Sequence, residues 1–430
     1  MLRQTFYYLD IRKNPWKSED ALRCLQLSKL KRLVKHAYGT SSFYKALYDD
    51  CQVSPQTIKS LDELGRLPII DKAMVNCAGH DIISDKYSVT SLLKERTTGT
   101  TGVATILYRS EASMDLARAA KYRIDVMNGF RPWVKTANRA FRLQKIRKFS
   151  HILGLNRQEM ISADIPLKEQ MTILQKQQCE VFYCYPSHLV RIARYILDNG
   201  IQGIHPKLIV FHSEGAQPPV RKIIEDCFGV NPINIYGARE FGTVAWGGGD
   251  AKCQGLHINA DLLLLEIIDP DTGQRVDEGE IGHIVITDFT NLARPLIRYD
   301  TGDIAVATYN QCGCGMSFPI IKEILGRSVE AVKLPAGGEF TVNMAFPRLM
   351  MAVGVIEQYQ VNITVQNNLV VKIKTTGNVK INELKLKSDI SKYCGGIQSE
   401  IKYVASNDEF VRAPSGKFLD FIRETGEVNQ

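Results

Sequence analysis

The sequence predicts an α/β protein, a large N-terminal domain of layered mixed sheets followed by a small α+β C-terminal domain. Three observations predict it. Between residues 181 and 237 short apolar strands alternate with amphipathic helices, the pattern of a mainly parallel sheet covered by helices. Val361-Asn362-Ile363-Thr364-Val365 and Leu369-Val370-Val371-Lys372-Ile373 alternate in polarity around Asn367-Asn368, and a helical period follows over 380–392. Between the ends of the chain, turn-bounded apolar runs such as Leu262–Ile268 and Gly282–Thr287 read as a hairpin.

Composition sets the limits. The chain has 430 residues, 44% hydrophobic and 23% charged, with a formal net charge of +8. This is ordinary globular composition with room for more than one domain. The modest positive charge favours anionic partners and decides no partner by itself. No apolar run approaches the roughly 18 residues of a membrane-spanning helix. Met1–Tyr8 lacks the apolar core of a secretion signal, so a cytoplasmic location with reduced thiols is expected for the ten cysteines.

Taken in order, residues 19–48 carry a helical period through Leu22, Leu25, Leu30, Leu33, Val34 and Ala37, interrupted at Ser41-Ser42. Leu64–Lys72 reads as an extended lead into a new element, because Pro68 disfavours helix before it. A helix is expected over 111–128. Residues 131–148 crowd Arg131, Lys135, Arg139, Arg142, Lys145, Arg147 and Lys148 beside Phe130, Trp133, Phe141 and Phe149. A solvated helix face and a docking site for an anionic acceptor or membrane surface are the two readings. No nucleic-acid module accompanies the stretch, and no nucleic acid is expected as partner. Helices follow over 167–178, 188–198 and 219–228, the last two closed by Gly200 and Gly229.

Three stretches carry chemistry. Thr97-Thr98-Gly99-Thr100-Thr101-Gly102 packs four hydroxyls and two glycines into six residues before the strand Ile106-Leu107-Tyr108. Glycine permits the partly left-handed backbone that turns several N–H groups inward, which suits a polyphosphate. It is not a Walker loop, since no Gly-Lys-Ser/Thr follows. The competing reading is a polar turn between strands. Tyr236-Gly237-Ala238-Arg239-Glu240 puts a carboxylate in a Gly-bounded turn after a buried strand, a candidate for Mg2+ or ribose. Glu214, after the strand Leu208–Phe211, lies at another carboxyl end where such sheets bind ligands. In Arg294–Asp303, Asp303 can accept two hydrogen bonds from ribose, and Arg298 can neutralise an anion.

Together these stretches resemble the adenylate-forming ligase superfamily, most closely the phenylacetate–CoA ligase family, over nearly the whole chain. Leu33–Tyr38 with Ser42-Phe43-Tyr44 is similar to that family's N-terminal helix. Thr97–Gly102 resembles its phosphate loop, and Tyr236-Gly237-x-x-Glu240 its Tyr-Gly-x-x-Glu. Gly255-Leu256-His257-Ile258 with Asp261, Ile297-Arg298-Tyr299-x-Thr301-Gly302-Asp303, Gly326-Arg327 and Pro414-Ser415-Gly416-Lys417 match in order. The resemblance implies an N-terminal domain over 1–327 that binds ATP and acid, and a mobile C-terminal domain over 328–430. It implies that a carboxylate attacks the α-phosphorus of ATP, giving an acyl-adenylate that passes to CoA or to an amine or hydroxyl. The threonine loop, Glu214, Tyr236 and Gly237 would hold the nucleotide, Glu240 Mg2+, and Asp303 with Arg327 the ribose. Lys417 would bridge carboxylate and α-phosphate, the step's main electrostatic problem, and Arg298 would serve the same chemistry.

The sequence departs from the family pattern in three places. Val103-Ala104 replaces Lys-Pro after the phosphate loop, Ser328-Val329-Glu330 replaces x-Asp-Asp after Gly326-Arg327, and Asp300 stands where Arg is common. Residues 129–166 resemble the capsular-polysaccharide-biosynthesis (CapK-like) branch rather than the aromatic-acid pocket of phenylacetate enzymes, which argues against phenylacetate as substrate. A surface-polysaccharide acceptor and a homodimer are open expectations. The second function class is a catalytically degenerate ligase fold acting as a binding module. Separately, Cys312-Gly313-Cys314 with Cys253 and His257 supplies four ligand types suited to structural Zn2+. The alternative is ordinary reduced thiols, with His257 facing the nucleotide.

Overall fold

The computed structural model describes residues 2–96, 105–140, 154–155, 157–162, 165–212, 218–248, 253, 255–327, 331–333, 339–341, 346, 349–350, 353, 355–375, 379–394, 396–405, 409–411, 419 and 421–424. Two compact units divide the chain. One comprises Met1–Thr301 and Ala305–Ile324, the other Gly302–Ile304 and Leu325–Gln430.

The first unit opens with helices α1 (Leu2–Ile11), α2 (Glu19–Thr40), α3 (Ser42–Asp50) and α4 (Lys72–Ala78). The interruption expected at Ser41 is a junction of two helices. The Ser41 N–H donates to Ala37 at the end of α2, and its hydroxyl accepts from Tyr44 N–H at the start of α3. One residue thus satisfies end groups that both helices would leave unpaired. Residues 75–95, which the sequence left without an element, hold most of α4 and the start of β1 (Leu93–Arg96). β1 pairs antiparallel with β2 (Ile106–Arg109), Arg96 facing Ile106. The threonine loop, Thr97, Thr98, Gly99, Thr100, Thr101 and Gly102, lies outside the described residues, between these two strands. Helix α5 (Glu111–Met127) follows, capped by the Ser110 side chain.

The strands then run β3 (Thr136–Ala140), β4 (Gln158–Ser162), β5 (Val181–Cys184), β6 (Leu208–His212), β7 (Ile233–Ala238), β8 (Gly242–Gly248) and β9 (Leu256–Ile258). After them come β10 (Leu263–Ile268), β11 (Ile281–Asp288), β12 (Tyr299–Val306), β13 (Ile320–Ile321) and β14 (Glu323–Arg327). The main sheet has the order β13-β9-β8-β7-β6-β5-β3-β4, parallel from β4 to β7 and antiparallel from β7 to β13. Helices α6 (Leu167–Gln177), α7 (Pro186–Asn199) and α8 (Pro218–Phe228) cover one face. Phe182, Cys184, Ile209 and Phe211 point to those helices, while Val181, Tyr183, Leu208 and Val210 join the core on the other side. Burial on both faces explains why β5 and β6 read as continuous apolar runs. Gly200 takes a left-handed conformation (φ 60°) to end α7, as expected.

Two elements differ from expectation. Thr136–Ala140, inside the basic stretch read either as a solvated helix face or as a docking site for an anion or membrane surface, is an internal strand of the main sheet. Its charge density masked a strand, since Thr136 and Ala137 are buried while cations flank them. β8 was not expected at all. Gly242, Gly247 and Gly248 hide its strand character, yet a Cβ on Gly247 would strike the Gly255 carbonyl, so close pairing with β9 requires glycine there. The 262–268/282–287 hairpin is present as β10 and β11, with Leu263 facing Asp288, in a four-stranded sheet of order β10-β11-β12-β14.

In the second unit, β15 (Ala331–Lys333) pairs with β16 (Glu339–Thr341). β17 (Ile356–Ile363) and β18 (Leu369–Thr375) form the expected hairpin, with Asn367 at φ 60° in its turn. With β19 (Ser399–Tyr403) and β20 (Phe421–Arg423) they make the sheet β19-β18-β17-β20. Val361, Ile363, Val371 and Ile373 from the hairpin share a core with Leu386 and Ile390 of α9 (Glu383–Tyr393).

Candidate active site and metal centre

The carboxyl ends of the parallel strands are where a ligand site belongs in such a sheet. Tyr236 and Gly237 sit at the end of β7, and Glu240 lies half-buried in the turn to β8. A side chain on Gly237 would collide with the Gly242 carbonyl, so this turn can close only around glycine. Arg109 on β2 reaches the turn by donating to the Arg239 carbonyl at 3.4 Å. Glu214, at the end of β6, lies outside the described residues.

Several neighbours were not singled out from the sequence. Arg294 is buried; burial lowers its pKa, and Tyr299 and Glu240 act against that. It therefore brings a cation into the field of the Glu240 carboxylate. At the end of β6, burial and then Lys121 push His212 down to about 4, so its ring is neutral at physiological pH, and it packs 4.9 Å from the Tyr185 ring. Lys121 pairs with Asp125 at 2.8 Å and sits 3.8 Å from the Tyr183 ring centre. The signal for His212 was present in the strand-end rule that selected Glu214. Lys121 and Asp125 look like an ordinary i,i+4 pair in sequence and carry no signal.

Arg298 is not free to meet an anion. The sequence assigned it to an anion, but its guanidinium is buried and spent on the protein. Nε and Nη2 grip Glu266 at 3.1 and 3.2 Å, Nη1 donates to the Gly65 and Leu67 carbonyls at 3.1 and 2.8 Å, and Nη2 donates to Gly273 at 3.0 Å. All five donors of the fork are used, so Arg298 ties the 65–67 segment to β10. Asp300, which stands where the family carries Arg, accepts from His283 Nδ1 at 2.8 Å. That bond raises the His283 pKa against the opposing effect of burial.

Asp303 is buried on β12 and groups with the second unit. Arg327 ends β14, where only its backbone is described. Lys417 lies outside the described residues, between Val411 and Leu419 in the sequence. The buried Gln360 amide on β17 donates to the Val411 and Leu419 carbonyls at 2.8 and 2.7 Å and accepts from Val411 N–H at 3.0 Å.

The cysteine cluster forms as the ligand types suggested. One ligand atom from each of Cys253, His257, Cys312 and Cys314 lies within 4.8 Å of the others. His257 Nε2 is 3.3 Å from Cys314 Sγ and 3.8 Å from Cys253 Sγ. Its Nδ1 bonds the Phe318 carbonyl at 3.1 Å, which fixes the ring and turns Nε2 to the thiols, as outer partners of metal-bound histidines do. Tetrahedral zinc with Zn–S near ~2.3 Å needs ligand atoms roughly 3.8 Å apart, so this donor set fits the ion with small adjustments. Burial, then the neighbouring Cys314, pushes Cys253 up to about 12. His257 therefore faces the thiols, not a nucleotide.

This architecture is the adenylate-forming ligase fold. The crystal structure of 2-hydroxyisobutyryl-CoA ligase in the postadenylation state superposes with a TM-score of 0.79 at 18% identity, covering 96% of this chain and 91% of that one. The sequence relatives are narrower in kind. Phenylacetate-coenzyme A ligase of Thermus thermophilus is 29% identical over 330 residues, covering 72% of this chain and 71% of that protein. Protein CapK of Staphylococcus aureus is 25% identical over 406 residues, covering 91% and 87%. No family model matches the chain. The resemblance drawn from the motifs is thereby borne out: the chain is similar in sequence to phenylacetate–CoA ligases and to CapK, and it has the fold of the adenylate-forming ligases.

Proposed function

We propose that the protein activates a carboxylic acid with ATP and passes the acyl group to CoA or to an amine or hydroxyl on a surface-polysaccharide precursor. The observation that carries this is the Tyr236–Glu240 turn at the carboxyl end of the parallel strands, within a fold shared with acyl-CoA ligases. The difficulty of the first step is that a carboxylate must approach a polyphosphate. Thr97–Gly102 would donate hydroxyls and N–H groups to the terminal phosphates. Glu240 would hold Mg2+, which supplies screening of the phosphate charge. Asp303 and Arg327 would hold the ribose, and Lys417 would neutralise charge as oxygen meets phosphorus. Arg298, consumed by Glu266, has no part in this.

The Cys253, His257, Cys312 and Cys314 set would hold a structural Zn2+, since four protein ligands leave no open position for chemistry. The polysaccharide acceptor is supported by similarity to CapK over most of the chain. Carboxylate-dependent exchange of pyrophosphate into ATP tests the adenylation step. ATP binding without exchange for any acid class would favour the binding-module reading, for which the lost Lys-Pro after Gly102 speaks.

A further inference from the structure

The outer face of α1 is apolar and uncovered. Leu2, Phe6 and Leu9 recur at helical spacing on one side, and they are 91%, 68% and 52% exposed. The opposite side is fixed to α5. Tyr8 packs edge-on to Tyr122 at 5.1 Å, Gln4 Nε2 donates to Asp115 at 2.9 Å, and the Ile11 carbonyl accepts from Arg123 Nη1 at 2.9 Å. The helix is thus anchored with its stripe turned outward. Just past it Trp16 is 57% exposed, and Arg12, Lys13 and Lys17 are all exposed. Arg3 is engaged with Asp115 at 3.5 Å on α5. Between residues 2 and 17 the single acidic residue is Asp10, so the rim of the stripe is cationic.

We infer that this face of α1 and the turn to Lys17 lies on an anionic lipid surface. Large apolar side chains on one face, a tryptophan at the border and cations around it are the physical requirements for a helix lying in the headgroup boundary. The lysines can extend their stems along the apolar surface and keep their charge among the headgroups. A helix of ten residues is about 15 Å long, too short to cross, and among the described residues no helix is long and apolar enough to span a membrane. Charge complementarity selects this occupant. A second copy of the same face carries the same cationic rim and offers Arg12, Lys13 and Lys17 no compensating anions beyond Asp10, whereas anionic headgroups neutralise them. The inference is separate from the 131–148 stretch and does not depend on the adenylation chemistry.

The full chain is tested by flotation with vesicles of phosphatidylcholine alone and with about one-third phosphatidylserine. The wild type is expected to float with the anionic vesicles at least about tenfold more than with the neutral ones. Phe6→Asp with Leu9→Asp should abolish flotation, and Lys13→Glu with Lys17→Glu should reduce it about tenfold and remove its salt sensitivity. Circular dichroism and thermal melting check that these exposed substitutions leave the fold intact. Equal flotation of wild type and variants, or no flotation of the wild type, overturns the inference. So does a concentration-dependent dimer, seen by light scattering, that Phe6→Asp with Leu9→Asp dissociates while the wild type ignores vesicles.

Discussion

Gln360 Nε2 lies 2.7 Å from the Leu419 carbonyl, and the same amide bonds both backbone groups of Val411. A side chain on β17 therefore fastens the chain on each side of Lys417. Each of these hydrogen bonds is worth about 0.5–1.5 kcal/mol net, so Gln360→Leu should release the chain at Val411 and Leu419 without emptying the core around β17. In pyrophosphate exchange, the role proposed for Lys417 predicts that kcat falls about tenfold or more while KM for ATP stays nearly unchanged, as for a residue that positions a group used in the chemical step. An unchanged kcat in a folded variant would remove Gln360 from the account.

The zinc site proposed at Cys253, His257, Cys312 and Cys314 predicts a stoichiometry. Protein purified without chelator should carry about one zinc per chain, and Cys314→Ser should lose it. Metal removal should lower the melting temperature, since binding free energy to the folded state adds to stability. Thiols that are neutral without the ion must release protons on binding, so zinc retention should weaken as pH falls. Atomic absorption on wild type and variant, with melting curves before and after chelation, measures both. Wild-type protein free of zinc and indifferent to chelator would return these residues to ordinary thiols.

The His283–Asp300 pair predicts a pH dependence with a defined sign. Its hydrogen bond raises the His283 pKa in the folded state, so the folded protein holds that proton more tightly than the unfolded chain. The stabilisation is complete below the unfolded histidine pKa of about 6.5 and is lost as pH rises through the higher folded value. Asp300→Asn should be destabilised relative to wild type at pH near 5.5, with the gap closing in alkaline buffer. Urea midpoints across this range test it, and a gap that widens with pH contradicts it.

Much of the fold was legible because its signals are local. Ser41, Gly200 and Gly229 marked helix ends through caps and left-handed backbone, and the apolar runs at Val181–Cys184 and Leu208–Phe211 marked strands buried on both faces. β3 and β8 were not legible, because flanking cations and glycines respectively outweighed strand propensity. The cysteine cluster was legible from ligand chemistry alone. Arg298 was misassigned because a sequence shows an arginine beyond a strand but not the Glu266 side chain from a different strand that consumes it. Arg123 was invisible for the same reason. It is a helical cation in sequence, yet it is buried and holds Asp261 at 2.7 and 3.0 Å and Asn259 at 2.7 Å. Asp261, one of the family-matching positions, is thereby accounted for by structure rather than chemistry.

Adenylation is tested most directly by carboxylate-dependent ATP–pyrophosphate exchange with panels of fatty, aromatic, amino and sugar acids. Exchange is expected with one acid class, and Lys417→Ala, which removes the charge proposed to meet the α-phosphate, should lower it by about a thousandfold or more. Exchange that persists in Lys417→Ala, or its absence with every acid although ATP binds, would contradict this reading.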